Sequence, residues 1–181
     1  MTNILALDPS IQMGFAHGRH DGTPMYGTHR LPKGKFSRQA LALEEMLLDL
    51  IKANGIEKVY AEKPILPRVT SFDAMIAMAG KAAVIGMTCA RIGIDMVYVD
   101  MSTWRSEFGV PTRAPTRVPK PERRKWVKAA TIARCEALGY APQDDNAADA
   151  LGIWHSRAAA IRAREAAPTL FETDLTAGME V

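Results

Sequence analysis

Gln143-Asp144-Asp145-Asn146-Ala147-Ala148-Asp149-Ala150-Leu151 is the stretch on which the reading of this chain turns. Pro142 precedes it, a common helix-start signal, and the pattern predicts a helix from near Asp145 to about Arg164. Helical geometry sets Asp145 and Asp149 about 40° apart around the axis, and Asn146 and Asp149 about 60° apart. Ala147, Leu151, Trp154, Ala158 and Ile161 gather on the far side. The helix therefore reads as one apolar face and one face carrying two carboxylates, a like-charge pair that is unfavourable at this spacing. Acids at a helix start can simply complement the macrodipole. Alternatively a divalent cation meets them, since hard cations prefer carboxylate oxygens. The rest of the chain decides between the two.

Asn3-Ile4-Leu5-Ala6-Leu7-Asp8 is a short apolar run that ends in an acid and is broken by Pro9 and Ser10. Met13–Gly18 and Pro24–Leu31 follow as strand-like runs around an Asp21-Gly22 turn, an antiparallel meander. Leu43, Met46, Leu47, Leu50 and Ile51 recur at helical spacing, with Asn54-Gly55 as the cap. Lys58-Val59-Tyr60-Ala61-Glu62 is a second buried-type strand that ends in an acid. Pro67 to Ser71 is a polar connection. A helix from about Asp73 to Arg91 carries the stripe Met75, Met78, Ala79, Ala82, Ile85 and Cys89. Its Gly80 and Gly86 each cost about 1 kcal/mol against alanine, and they permit close approach by the sheet or by a partner subunit. Asp95–Val99 is a strand, and Ser102 to Arg105 opens a short helical turn. Val110–Pro121, with Pro111, Pro115, Pro119 and Pro121, is expected to be irregular and mobile without a partner. Glu122–Leu138 reads as a helix with Trp126, Ala130, Ala133 and Ala137 on one face and Arg124 and Lys128 opposite. This order implies a mixed sheet with helices on its faces.

At 181 residues, 48% hydrophobic and 24% charged, the chain is expected to form one globular domain, and disorder, collagen and coiled coil are excluded. No apolar run reads as a membrane span, and Met1 to Leu5 lacks the basic start of a signal peptide. A cytoplasmic protein with no membrane partner is the expectation. Cys89 and Cys135 belong to no metal-type pair and read as reduced core residues. His17, His20, His29 and His155 have no ligand spacing and read as surface or strand residues. No phosphate-cradling glycine loop of the P-loop kind is present, and Ser10 has no nearby His–Asp relay.

Asp8 and Glu62 thus each terminate an apolar strand, where an acid is costly unless something charged meets it. If the two strands are neighbours, these acids meet at one sheet edge. The final helix can then bring Asp149 and Asp145 over that edge, giving four acids with no basic residue among them. Such a set suits two Mg²⁺ or Mn²⁺ ions about 3.5–4 Å apart, with Asp8 shared between them, one activating water and the other stabilising the leaving oxygen of a phosphodiester. Arg105, Arg113, Arg117, Lys120, Arg123, Arg124, Lys125 and Lys128 cluster with only Glu107 and Glu122 between them. This is either a solvated loop or a phosphate-binding strip for DNA. Lys63, Arg68 and Lys81 would extend it. Trp126 reads as core, and Trp104 as a contact to a base or a partner subunit.

Leu5-Ala6-Leu7-Asp8-Pro9-Ser10, then Tyr60-Ala61-Glu62, then Asp145-Asn146-Ala147-Ala148-Asp149-Ala150-Leu151 resemble the RuvC family of Holliday junction resolvases, in the compact form of its phage and prophage members. The likeness spans about residues 3–160. It implies an α/β, RNase H-like fold: a mixed five-stranded sheet with helices on both faces, in a nuclease domain over 1–165 followed by a flexible tail over 166–181. It further implies a homodimer that acts on branched DNA, cutting a four-way junction by paired, metal-dependent hydrolysis that leaves 5′-phosphate ends. Asp8, Glu62 and Asp149 match three of the four family metal ligands. The fourth family position, three residues before the last Asp, holds Asn146 here, with Asp145 beside it. A carboxylate is the stronger ligand, which favours Asp145, and the choice stays open. The aromatic that some relatives carry three residues after the Glu is Ile65 here, with Phe72 further on. Rival readings are a flap, branched-DNA or RNase H-type nuclease on the same fold, a non-catalytic DNA-binding protein, and an actin-like ATPase, whose second glycine-rich loop is not found in the sequence.

Overall fold

β1 (Asn3–Asp8) is the middle of the molecule: its Ile4, Leu5, Ala6 and Leu7 are all fully buried, as a strand covered on both faces requires. The computed structural model describes residues 1–65 and 71–167. Around β1 lie β2 (Gln12–Arg19), β3 (Met25–Arg30), β4 (Lys58–Glu62) and β5 (Asp95–Val99). They form one five-stranded sheet in the order β3-β2-β1-β4-β5. The meander β1-β2-β3 is antiparallel, while β4 runs parallel to both β1 and β5. This is the mixed sheet that the sequence predicts.

Strand alternation sorts the two cores. Leu5, Leu7, Val59 and Ala61 face α1 (Phe36–Asn54) and α2 (Phe72–Arg91), packing on Leu43, Leu47, Ile51, Ile85 and Cys89. Ile4, Ala6, Tyr60 and Val99 face the other layer. That layer is α3 (Met101–Phe108), α4 (Arg123–Ala137) and α5 (Asp145–Ala166), with a 3-10 turn over Lys120–Glu122. The same parity sets Asp8 on the side of Ile4 and Ala6, and Glu62 on the side of Tyr60. Leu7 pairs with Ala61, so Asp8 and Glu62 leave adjacent strands side by side, toward α5.

Several helix faces differ from expectation. In α5, Ala147, Ala148, Ala150, Leu151, Gly152, Ile153 and Trp154 are all buried. The helix lies across the sheet and under α3 and α4, so it is enclosed nearly all round instead of having a single apolar face. α4 turns Thr131 and Cys135 inward and leaves Ala133 and Ala137 exposed. Lys128 lies on that inward line, and Trp126 is only half-buried. In α2 the buried line is Lys81, Ala82, Ile85, Thr88 and Cys89, while Met75 and Ala79 are exposed. Lys81 donates to the Ala77 carbonyl at 2.8 Å and adds nothing to a basic surface. Gly80 is filled by Phe36, whose Cζ would lie 2.3 Å from an added Cβ, and Gly86 faces Tyr98. Both glycines therefore serve contacts inside the chain. α2 is also long and apolar enough, by length and composition, to cross a membrane, contrary to the sequence reading.

Cys89 and Cys135 are free and buried, as expected. His20 is buried and stands 2.8 Å from Glu165, which ties the end of α5 to β2, so it is neither a surface nor a strand residue. The Pro-rich stretch before α4 has no regular structure until Lys120. α5 runs to Ala166, two residues beyond the helix end expected near Arg164. The expected tail beyond 167 and Arg68 lie outside the described residues.

The close approach of α5 to the sheet depends on Gly14. An added Cβ there would stand 2.0 Å from the Asn146 carbonyl oxygen, whereas at Gly22 its nearest neighbour is 3.5 Å away. Gly14→Ala should lower unfolding stability in denaturant by about 1–3 kcal/mol, as overpacking does, and Gly22→Ala should change it by about 0.5 kcal/mol or less. Equal effects would show that α5 does not rest on Gly14.

Candidate active site

Three elements deliver the four acids. Asp8 ends β1, Glu62 ends β4, and Asp145 and Asp149 lie in the first turns of α5; all four line one cavity, with Ser10 and Asn146 beside them. The start of α5 is fixed by Asp144, whose Oδ1 accepts the Ala147 N–H at 2.9 Å while Gln12 donates to its other oxygen. Asp144 is thus the capping acid, and Asp145 and Asp149 are left free of that task. Asn146 sits 3.3 Å from the Ser10 hydroxyl. Asp145 and Asn146 both reach the cavity.

This convergence is electrostatically unfavourable. Burial, then the charges of Asp149, Glu62 and Asp145, hold the Asp8 carboxyl well above the ordinary range; Lys128 opposes this, and no hydrogen bond does. Asp149 is pushed up to about 6 by burial, with Glu62 and Asp145 adding to the shift and Arg105 and Lys128 opposing it. Burial also raises Glu62, against the indole hydrogen bond of Trp104 and the charge of Arg105. Buried like charges shift in this direction because the neutral form needs no solvation.

The expectation of an acid set free of basic residues is not met. Lys128 donates to Asp145, and Arg105 Nη2 stands 3.3 Å from Asp149 Oδ2. Arg105 was expected on the DNA-binding strip; it is buried, stacked 5.0 Å from the Trp104 ring, because α3 packs against α5. Trp104 was expected at a base or a partner; it is fully buried, and its Nε1–H donates to Glu62 Oε2 at 2.8 Å. Arg113, Arg123 and Arg124 line the same cavity as the acids. Arg123 also donates to the carbonyls of Val118 and Thr116, at 3.0 and 3.3 Å, and so holds the Pro-rich stretch in place. Arg117, Lys120 and Lys125 are exposed outside the cavity lining. Lys63 is exposed, 3.4 Å from Asp100.

Among the described residues, no three His, Cys, Asp or Glu side chains stand close enough as placed to hold a metal ion. The cations of Lys128 and Arg105 neutralise two of the four acids. The fit to a dication rests on Asp8, a half-buried residue whose carboxyl meets three others and, among the described residues, no hydrogen-bond donor. With no thiolate or imidazole among the described residues that line the cavity, its oxygen donors match Mg²⁺ or Mn²⁺. Sequence reasoning missed Gly14, Gly152 and the Trp104–Glu62 link. A glycine inside a strand pattern is a signal of close backbone approach and marks Gly14; the other two depend on tertiary packing.

No protein-family model and no curated protein sequence matches the chain. Solved structures do. T. thermophilus RuvC in complex with Holliday junction substrate superposes at TM-score 0.62 and 14% identity, covering 92% of this chain and 97% of that one. A second Thermus thermophilus RuvC structure gives TM-score 0.60 at 15% identity, covering 90% and 97%. The yeast mitochondrial Holliday junction resolvase Ydc2 gives 0.56 at 10% identity, covering 90% of this chain and 81% of that one. The chain has the RuvC variant of the RNase H-like fold.

The raised carboxyls set a pH dependence. A carboxyl raised in the folded state contributes stability that is full below its unfolded value and is lost as pH rises, through about 6 for Asp149. In EDTA, Asp8→Asn should therefore raise Tm at pH 8 by about 2–6 °C, and the gain should shrink toward pH 5. Calorimetry across that range checks it; a lowered Tm at pH 8 would mean the carboxyl is held by favourable contacts.

Proposed function

We propose that this chain is a structure-selective DNA endonuclease that resolves four-way junctions, with divalent cations as cofactor. The observation that carries the reading is the meeting of Asp8, Glu62, Asp145 and Asp149, from two strand ends and a helix start, in one cavity walled by Arg113, Arg124 and Lys128. The fold shared with a RuvC solved in complex with Holliday junction substrate supports it.

Asp8, Glu62, Asp149 and Asp145 or Asn146 would hold Mg²⁺ or Mn²⁺, two ions per site. Bound there, the cations supply Lewis acidity for water activation and for stabilising the leaving 3′ oxygen. Asp8, least compensated by the protein, would be the central ligand of this set. Arg113 and Arg124 bind backbone phosphates along the cavity wall, and Arg117, Lys120 and Lys125 continue the strip outside it. Lys128, which donates to Asp145 at the cavity wall, would be placed to contact a backbone phosphate were that carboxylate engaged by a cation. Arg105 stays inside and balances Asp149.

The protein acts as a homodimer, since two sites related by a two-fold axis give paired cuts. α2 leaves Phe72, Met75, Ile76 and Met87 exposed, an apolar face suited to an interface. Free buried cysteines suit a reducing compartment, the cytoplasm.

A supercoiled plasmid with an extruded cruciform, incubated with Mg²⁺, tests the reading. Paired cutting should yield linear product without accumulating nicked circles. Synthetic four-way junctions should be cut in preference to flaps and RNA–DNA hybrids, and Asp149→Asn should lower the rate by about 100-fold or more. Preference for the hybrid would point to an RNase H, and wild-type protein that cuts nothing with Mg²⁺ or Mn²⁺ would leave a DNA-binding protein.

A further inference from the structure

We infer that Trp104 is a positioning residue for Glu62, holding one carboxylate oxygen so that the other is presented to a divalent cation. The inference rests on the nuclease reading above. Trp104 Nε1–H donates to Glu62 Oε2 at 2.8 Å. An indole N–H only donates and does not ionise in the working pH range. It therefore fixes the acceptor without competing for the proton or offering a lone pair of its own. A ligating carboxylate held by a hydrogen bond from behind is the usual outer arrangement of a metal site.

The ring that carries this donor is itself immobilised. Trp104 is fully buried, and Gly152 of α5 makes room for it: a Cβ there would stand 2.5 Å from Trp104 Cζ3. The guanidinium of Arg105 covers the ring at 5.0 Å and reaches Asp149 at 3.3 Å. The pair Trp104-Arg105 on α3 therefore sets the orientation of one acid from the sheet and one from α5. A tryptophan chosen only to fill the core leaves its N–H at any convenient acceptor. Trp154, equally enclosed on the same side of the sheet, has an Nε1 with no partner among the described residues, which makes it the natural control.

Calorimetric titration of the DNA-free protein with Mn²⁺ tests the inference without reference to cutting. Trp104→Phe keeps a ring in the core and removes the donor. It should weaken the apparent Mn²⁺ affinity about tenfold or more, whereas Trp154→Phe should leave it within about twofold of wild type. A folded Trp104→Phe protein that binds Mn²⁺ like wild type would overturn the inference and leave the nuclease reading intact. Wild type that takes up no Mn²⁺ would overturn both. Should Trp104→Phe fail to fold, the wild-type indole N–H resonances decide, assigned by elimination with Trp126→Phe and Trp154→Phe. Mg²⁺ should shift the Trp104 resonance more than the other two; equal shifts, or none, would contradict the inference.

Discussion

Carboxylates at the ends of buried strands are the constraint that the rest of this molecule answers. β1 is covered on both faces, so its last residue emerges close to apolar surroundings, and register with β4 sets Glu62 beside Asp8. Two acids there are already unfavourable, and α5 adds two more. Nothing in a stability argument calls for this arrangement, since burying charges of one sign costs more than hydrogen bonding returns. Its persistence is a mark of function.

The surrounding structure manages that charge instead of removing it. Gly14 lets α5 come down on the sheet. Asp144 and Gln12 anchor its first turn, so that Asp145 and Asp149 project over the strand ends. α3 brings in a guanidinium for Asp149 and an indole for Glu62, and α4 brings an ammonium for Asp145. The Asp8 carboxylate is opposed only by the charge of Lys128. The acids are thus graded: two are paired with protein cations, one is hydrogen-bonded, and one is left open. Asp8 is therefore the carboxylate that the protein itself compensates least.

How much of this was legible in the sequence follows from the range of the interactions. The strands and their terminal acids were readable because burial on both faces leaves near-continuous apolar runs, and the abrupt acids at positions 8 and 62 interrupt them. The α1 stripe and its Gly55 cap were readable because both are local. The faces of α2, α4 and α5 were not. A helix enclosed on several sides loses the contrast that periodicity needs, as α5 does between Ala147 and Trp154. The basic run was correctly located along the chain, but which members face the acids depends on how α3 and α4 pack. Arg105 therefore turned inward without any sequence signal. The indole of Trp104 looked like a surface aromatic for the same reason.

The most direct measurement is an anomalous difference map from crystals of the protein grown with Mn²⁺. The expected result is strong density within ligand distance of Asp8, shared with Glu62 and Asp149, with Lys128 moved away from Asp145. A map with no peak at Asp8, with Lys128 and Arg105 still paired to the acids at saturating Mn²⁺, would contradict the account.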